Sequence, residues 1–362
     1  MKIGMFNPYF AYLRGGGETT TKNLATALKN LGYDITVLCY RSFFKDPNPI
    51  TTDVPIEYVP SLYELRELWR ILPGKLGGCA YRLQEEFYKL VLKSHIDKWD
   101  IIHDQGVEAM EVAVKKNKKV IVTLQGMPYF KLRDFLARCN YIVVAAYSII
   151  RVLRDEWKLK NVVYMPHAID LNKFKQMDKK QCREKVGIYR DPVILFVGRL
   201  IQAKNIETLL KAFAIVLKTY SEAKLYIVGD GILKNRLIKL SRILGINRKV
   251  EFTGELNDEI LPYYYNSCDV YVQPSVIDFI PYSTLEAIAS GCKLVVSNKV
   301  IDTIERFPQV CVARAESSED FAEKIVAVLL GKYTPISQRE MEEFSIDSVA
   351  KKYASLYEHM AL

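Results

Sequence analysis

Three clusters of residues have types and spacings that could do chemistry. In the first, Gly15-Gly16-Gly17-Glu18 stands in a loop after the apolar run Lys2–Phe6, followed by Thr19-Thr20-Thr21 and an amphipathic stretch. Glycines let a ligand approach the backbone closely. The helix N-terminus behind them would aim unpaired amides and partial positive charge at that space, which suits a phosphate. The spacing is neither Gly-x-Gly-x-x-Gly nor a P-loop, and a plain glycine-rich surface loop explains it equally well. In the second cluster, Arg199 and Lys204 stand five residues apart in Gly198-Arg199-Leu200-Ile201-Gln202-Ala203-Lys204-Asn205, just past the apolar run Val193–Val197. Two cations beyond a strand's carboxyl end can converge on one anion; the alternative is an exposed pair of surface cations. The third cluster runs from Pro274 to Ala287, where Asp278 and Glu286 bracket a turn and a helix start. The amides of Tyr282 and Ser283 would receive an anion, and Glu286 would accept hydrogen bonds from ribose hydroxyls.

Positioning these clusters requires strands and helices in a set order. Strand candidates in the first half are Lys2–Phe6, Asp34–Cys39, Ile56–Val59, Ile101–His103, Lys119–Leu124, Tyr141–Ala146 and Val162–Met165. In the second half they are Val193–Val197, Lys224–Val228, Val250–Thr253, Asp269–Gln273, Lys293–Ser297 and Val310–Ala313. Most are apolar throughout rather than alternating, as strands buried on both faces must be. Helical stretches such as Thr20–Leu31 and Ile206–Thr219 lie between them. This predicts parallel sheets covered on both sides, and the pattern occurs twice. A polar boundary, Asp170–Pro192, separates the halves. A last helix, about Ile346 to Met360, could belong to either.

Composition agrees with this reading. The chain has 362 residues, too many for one ordinary core and suited to two domains. At 49% hydrophobic and 26% charged residues it is neither disordered, collagenous nor coiled-coil. The longest apolar runs are strand-sized, so no membrane-spanning helix is expected. The start, MKIGMFNPYF, does not read as a signal peptide. A soluble, cytoplasmic protein is expected, with peripheral contact on the inner face of a membrane as an open option. Seven scattered cysteines without a Cys-x-x-Cys pair (Cys39, Cys79, Cys139, Cys182, Cys268, Cys292 and Cys311) suggest neither a metal site nor a disulfide framework. The net charge is +9, and residues 113–160 hold 11 Lys and Arg against 3 Asp and Glu. Such a face could meet an anionic membrane, a phosphorylated acceptor or a nucleic acid. A solvated basic surface without a partner accounts for it as well. No nucleic-acid motif is present, so no nucleic-acid partner is expected.

In this order and at these spacings the clusters resemble the retaining glycosyltransferases of family 4, also called group 1, over nearly the whole chain. The resemblance is carried by Gly15 to Glu18; by Gly198, Arg199, Leu200, Lys204 and Asn205; by Gly229-Asp230-Gly231; and by Pro274, Ser275, Asp278 and Glu286. It implies an α/β protein of GT-B architecture, two Rossmann-like doubly wound domains facing each other across a cleft. Residues 1–170 would form the acceptor-side domain and 171–345 the nucleotide-sugar donor domain, with the helix at about 346–362 free to pack back on the first. The implied activity is sugar transfer, hexosyl in type, from a UDP-, GDP- or ADP-sugar to a glycan, lipid-linked or small-molecule acceptor, with retention at the anomeric carbon. Arg199 and Lys204 would bind the diphosphate and stabilise its departure, and Asp278 would face the donor sugar. Gly15, Gly16, Gly17, Gln125, Tyr282, Ser283 and Glu286 would complete the donor site. No cofactor and no metal are expected, since no Asp-x-Asp pair occurs.

The chain departs from the family pattern in places. The family's Thr-x-His-Gly segment is Thr123-Leu124-Gln125-Gly126, and Gln125 can hydrogen-bond but not titrate near neutral pH. The first acid of the Glu-x7-Glu pair is the shorter Asp278. The hinge reads Pro166-His167-Ala168-Ile169-Asp170. Structural roles are expected for His103 and His167, and none in catalysis for His95 or His359. The alternative reading is a nucleotide-sugar-binding scaffold without transfer activity, favoured by Gln125 and Asp278. An oxidoreductase also fits two Rossmann-like domains but lacks the dinucleotide fingerprint. Residues 61–93 mix aromatic and cationic side chains and read either as an acceptor loop or interfacial helix or as ordinary core helices.

Overall fold

The computed structural model describes residues 1–8, 10, 16–41, 52–60, 86–87 and 89–361. Gly15, Cys79 and most of the aromatic segment (61–85 and Tyr88) lie outside the described residues. The chain divides into two units, Met1–Ala168 with Phe344–Leu362, and Ile169–Glu343.

The first unit is built on seven parallel strands: β1 (Lys2–Phe6), β2 (Asp34–Arg41), β3 (Ile56–Pro60), β4 (Ile101–Asp104), β5 (Lys119–Leu124), β6 (Tyr141–Val144) and β7 (Val162–Tyr164). Their spatial order is β3-β2-β1-β4-β5-β6-β7. β4 is buried along its whole length, which is why its sequence reads as an unbroken apolar run until His103. The helix after β1 spans Gly16–Asn30, so Gly16, Gly17 and Glu18 form its first turn rather than a loop before Thr19. An acidic side chain there complements the positive end of the helix dipole. Thr21 fixes that turn, donating to the Gly17 carbonyl at 2.9 Å and accepting from Asn7 Nδ2 at 2.8 Å.

The last helix, Ile346–Ala361, belongs to this unit. Its Val349, Ala350, Tyr353 and Tyr357 enter the same core as Ile3, Met5, Leu28, Ile101 and Ile121. A buried polar ladder orients it. Gln105 Nε2 donates to His103 Nε2 at 2.9 Å, which places the ring proton on Nδ1, 2.6 Å from the Tyr357 hydroxyl. Thr123 Oγ1 lies 2.9 Å from His103 Nε2 and 3.0 Å from the Tyr353 hydroxyl. Burial lowers the His103 pKa to about 3, so the ring stays neutral and structural.

The second unit holds six parallel strands, β8 (Val193–Val197), β9 (Lys224–Val228), β10 (Val250–Gly254), β11 (Val270–Gln273), β12 (Leu294–Ser297) and β13 (Cys311–Ala313). Their order is β10-β9-β8-β11-β12-β13. Its core joins Ile194, Phe196, Leu225, Ile227, Val270 and Val272 to the apolar faces of helices Ile206–Val216 and Ser318–Leu329.

Candidate active site

The strand order of the second sheet reverses between β8 and β11, and their carboxyl ends open the crevice where ligands bind in open α/β sheets. β8 delivers Gly198–Asn205 to that crevice, and β11 delivers Pro274–Pro281. The two segments are tied together. The Val276 amide donates to the Ala203 carbonyl at 2.9 Å. Asn205, in the left-handed region at φ 53°, donates from Nδ2 to the carbonyls of Pro274 (3.1 Å) and Ala315 (2.8 Å), and its Oδ1 accepts from Thr208. From the other side, the Gly229-Asp230-Gly231 turn lies against the 198–200 backbone. The Leu200 amide donates to the Asp230 carbonyl at 2.8 Å, and a Cβ at Gly229 would sit 2.1 Å from the Gly198 oxygen. Only glycine fits there, and φ is +123°.

This frame joins Lys204 to Asp278. The Lys204 ammonium pairs with Asp278 Oδ2, and both side chains are mostly buried, 17% and 20% exposed. Arg199, on the same loop, is exposed and has no ion pair among the described residues. After β11 the helix Tyr282–Ala289 begins at Pro281. The Tyr271 hydroxyl donates to Ser283 Oγ at 3.1 Å, and Thr284 donates to the buried Gln273 Oε1 at 2.9 Å. These two bonds anchor the helix start at the crevice. Tyr282 and Ser283 supply its first two amides, which lack intrahelical partners by geometry. One turn on, Glu286 accepts from the Tyr265 hydroxyl at 2.8 Å. Burial raises the Glu286 pKa to about 7, against the lowering effects of the Tyr265 hydrogen bond and Lys173.

Of the sequence-derived candidates, Arg199, Lys204, Asp278, Tyr282, Ser283 and Glu286 therefore lie at one end of one sheet. Gly16, Gly17 and Gln125 belong to the other unit. There Gln125 is exposed, one residue past the carboxyl end of β5. Sequence reasoning missed Tyr265, Tyr271 and Gln273, and gave Asn205 a motif but no role. Tyrosines within short helix and strand segments give no signal that separates a core residue from one holding a carboxylate. Among the described residues no group of three His, Cys, Asp or Glu could hold a metal ion. His167 is also kept neutral, burial lowering its pKa to about 4.

The family of glycosyl transferases group 1 matches residues 178–345, and Glycosyltransferase Family 4 matches residues 14–173. An uncharacterised glycosyltransferase of Methanocaldococcus jannaschii is 37% identical over 330 residues, covering 82% of this chain and 80% of the relative. The alpha-monoglucosyldiacylglycerol synthase of Streptococcus pneumoniae is 27% identical over 325 residues, covering 82% of this chain and 70% of the relative. Among solved structures, Anabaena HepE in complex with UDP and glucose superposes with a TM-score of 0.76 at 16% identity, over 99% of each chain. That last similarity speaks to the fold, two Rossmann-like units of GT-B type. The chain belongs to the group 1, family 4 glycosyltransferases and is a glycosyltransferase enzyme.

Proposed function

We propose that the protein transfers a sugar with retention from a nucleotide diphosphate sugar, UDP-linked in the first instance, to a lipid or lipid-linked acceptor, without a metal ion. The observation that carries the reading is the convergence of Arg199, Lys204, Asp278 and the Tyr282–Ala289 helix start at the β8/β11 switch point. Arg199 and Lys204 would take the diphosphate, with the amides of Tyr282 and Ser283 on the same charge. Lys204 would then share its ammonium between phosphate and Asp278, leaving the carboxylate oriented toward the donor sugar. Glu286, held by Tyr265, would accept the ribose hydroxyls. In the reaction the bond between the anomeric carbon and the phosphate oxygen breaks, and its electrons stay on that oxygen. The acceptor oxygen bonds to the same face of the carbon, and its proton passes to the departing phosphate. Cations preorganised around that phosphate stabilise the developing charge. No titrating base is needed, so Gln125 can serve as a hydrogen-bond partner to a sugar hydroxyl.

Two observations support UDP and a lipid acceptor: HepE was solved with UDP and glucose, and the S. pneumoniae relative is named as a glucosyldiacylglycerol synthase. A feature of this chain points the same way. After β5, Met127, Tyr129 and Phe130 are 46%, 76% and 65% exposed, next to Lys131 and Arg133 within the basic stretch. Apolar and aromatic tips among cations suit an anionic bilayer surface. Among the described residues no helix is long and apolar enough to cross a membrane, so contact of this kind would be peripheral. The direct test is release of UDP from UDP-glucose with diacylglycerol-type acceptors in vesicles. Turnover by wild type and its loss in Arg199→Ala support the reading; tight UDP binding with no turnover on any acceptor favours a scaffold instead.

A further inference from the structure

The six described cysteines are buried, and two of them, Cys268 and Cys292, meet. Cys268 follows the helix Leu261–Ser267 and leads into β11, while Cys292 leads into β12. β11 and β12 pair in parallel with Tyr271 opposite Leu294, a register that brings Cys268 level with Gly291, next to Cys292, at the amino ends of the two strands and away from the donor loops. The two Sγ atoms are 3.5 Å apart.

The two thiols differ in access. Cys268 lines a cavity of about 460 Å³ whose wall also carries Lys179, Lys293 and Asp269. Cys292 points inward, its thiol donating to the Tyr265 carbonyl at 3.2 Å, and burial holds it protonated.

We propose that Cys268 and Cys292 form a reversible dithiol–disulfide site, oxidised by hydrogen peroxide entering through this cavity, with Cys268 reacting first and Cys292 resolving. The Cys268 sulfur attacks a peroxide oxygen as its thiol proton is released, the O–O bond breaks, and the departing hydroxide takes up that proton as water. Cys268 is then a sulfenic acid. The Cys292 sulfur attacks it, the S–S bond forms, the S–O bond breaks, and the thiol proton leaves with the hydroxide as a second water. Two thiols and one peroxide thus give one disulfide and two waters, two electrons passing to the peroxide. A small dithiol reverses the change.

Tyr265 links this site to the donor pocket. Its carbonyl accepts from Cys292 Sγ and, at 3.3 Å, from the Cys268 amide, while its hydroxyl holds Glu286. Disulfide formation removes the Cys292 S–H donor and draws the end of the Tyr265 helix toward β12, so oxidation loosens the grip on Glu286. This last link rests on the donor role proposed for Glu286.

The experiment treats the full-length protein with hydrogen peroxide, alkylates the remaining thiols after denaturation, and maps peptides by mass spectrometry. A Cys268–Cys292 cross-link, lighter by two hydrogens and reversed by dithiothreitol, is expected. In Cys292→Ser, a sulfenic-acid trap should label Cys268; in Cys268→Ser, Cys292 should stay alkylatable. Full alkylation of both cysteines in peroxide-treated wild type, or trapping at Cys292 instead, overturns the site. The Kd for UDP should rise severalfold on oxidation of wild type and stay unchanged in Cys292→Ser. Equal affinities with the cross-link formed overturn the link to Glu286. Failure of the reduced protein to bind UDP would instead strike the donor assignment, since the cross-link is read by mass alone.

Discussion

Lys204 and Asp278 make one unit. A lysine and a carboxylate that share burial at a strand's carboxyl end hold each other in place, and removal of either leaves the other charge uncompensated. Lys204→Ala or Arg199→Ala should lower kcat by about 10²–10³, the scale for losing one preorganised group on a developing charge. Steady-state UDP release measures it, and Asp278→Asn should misplace Lys204 as well. Glu286 adds a pH dependence. Its pKa is raised to about 7; in the proposed role ribose hydroxyls would bind the carboxylate, and donor binding would lower that pKa. Affinity for UDP should therefore fall as pH drops below 7, by up to about tenfold per unit. Calorimetric titration across pH 5.5–8 checks this, and Glu286→Gln should give a flat profile. The types and spacing of these residues were legible in the sequence. Their partnerships were not: Lys204 and Asp278 are 74 positions apart, and Tyr265 reads as an ordinary apolar-helix residue until the fold sets it on Glu286.

At the level of elements, the loops at the switch point hold their shape through backbone approach and one asparagine. Gly229→Ala would push a Cβ into the Gly198 oxygen at a φ that side chains avoid. A cost of about 3 kcal/mol or more is expected, seen as a lower urea midpoint together with weakened UDP binding. Asn205→Ala removes hydrogen bonds to two loop carbonyls and a residue suited to the left-handed region. It should cost about 1–3 kcal/mol and depress kcat more than global stability, since it frees Lys204. The strands themselves were written plainly, because sheets buried on both faces demand continuous apolar runs; their observed ends shift by one or two residues. The helix after β1 was placed four residues late. Glycines argue for a loop on propensity, yet a helix's first turn has few bonds to lose and tolerates them.

At the scale of the molecule, the last helix returns to the first unit, which its amphipathic period could not reveal: the pattern says one face is buried, not against what. Its docking depends on the neutral His103 ladder. Tyr357→Phe would strand the His103 Nδ1 proton in the core and should cost about 1–3 kcal/mol, read as a lower Tm. His103 also sets an acid limit. Its folded pKa of about 3 lies below an unfolded value of about 6.5, so its contribution is complete above pH 6.5 and declines as pH falls toward 3. Urea midpoints should drop through that window, less steeply in His103→Asn. The exposed Met127, Tyr129 and Phe130 tip with its cations should bring the protein down with anionic vesicles at low salt and release it at high salt; no co-sedimentation at low salt would remove the membrane proposal. Whether a nucleotide diphosphate is held at the β8/β11 switch point is decided by thermal shift with UDP, GDP, ADP and their sugars on wild type and Arg199→Ala. A rise in Tm with one nucleotide series, UDP foremost, that disappears in the variant is the predicted result. No stabilisation by any of them at millimolar concentration, or equal stabilisation of both proteins, would contradict it.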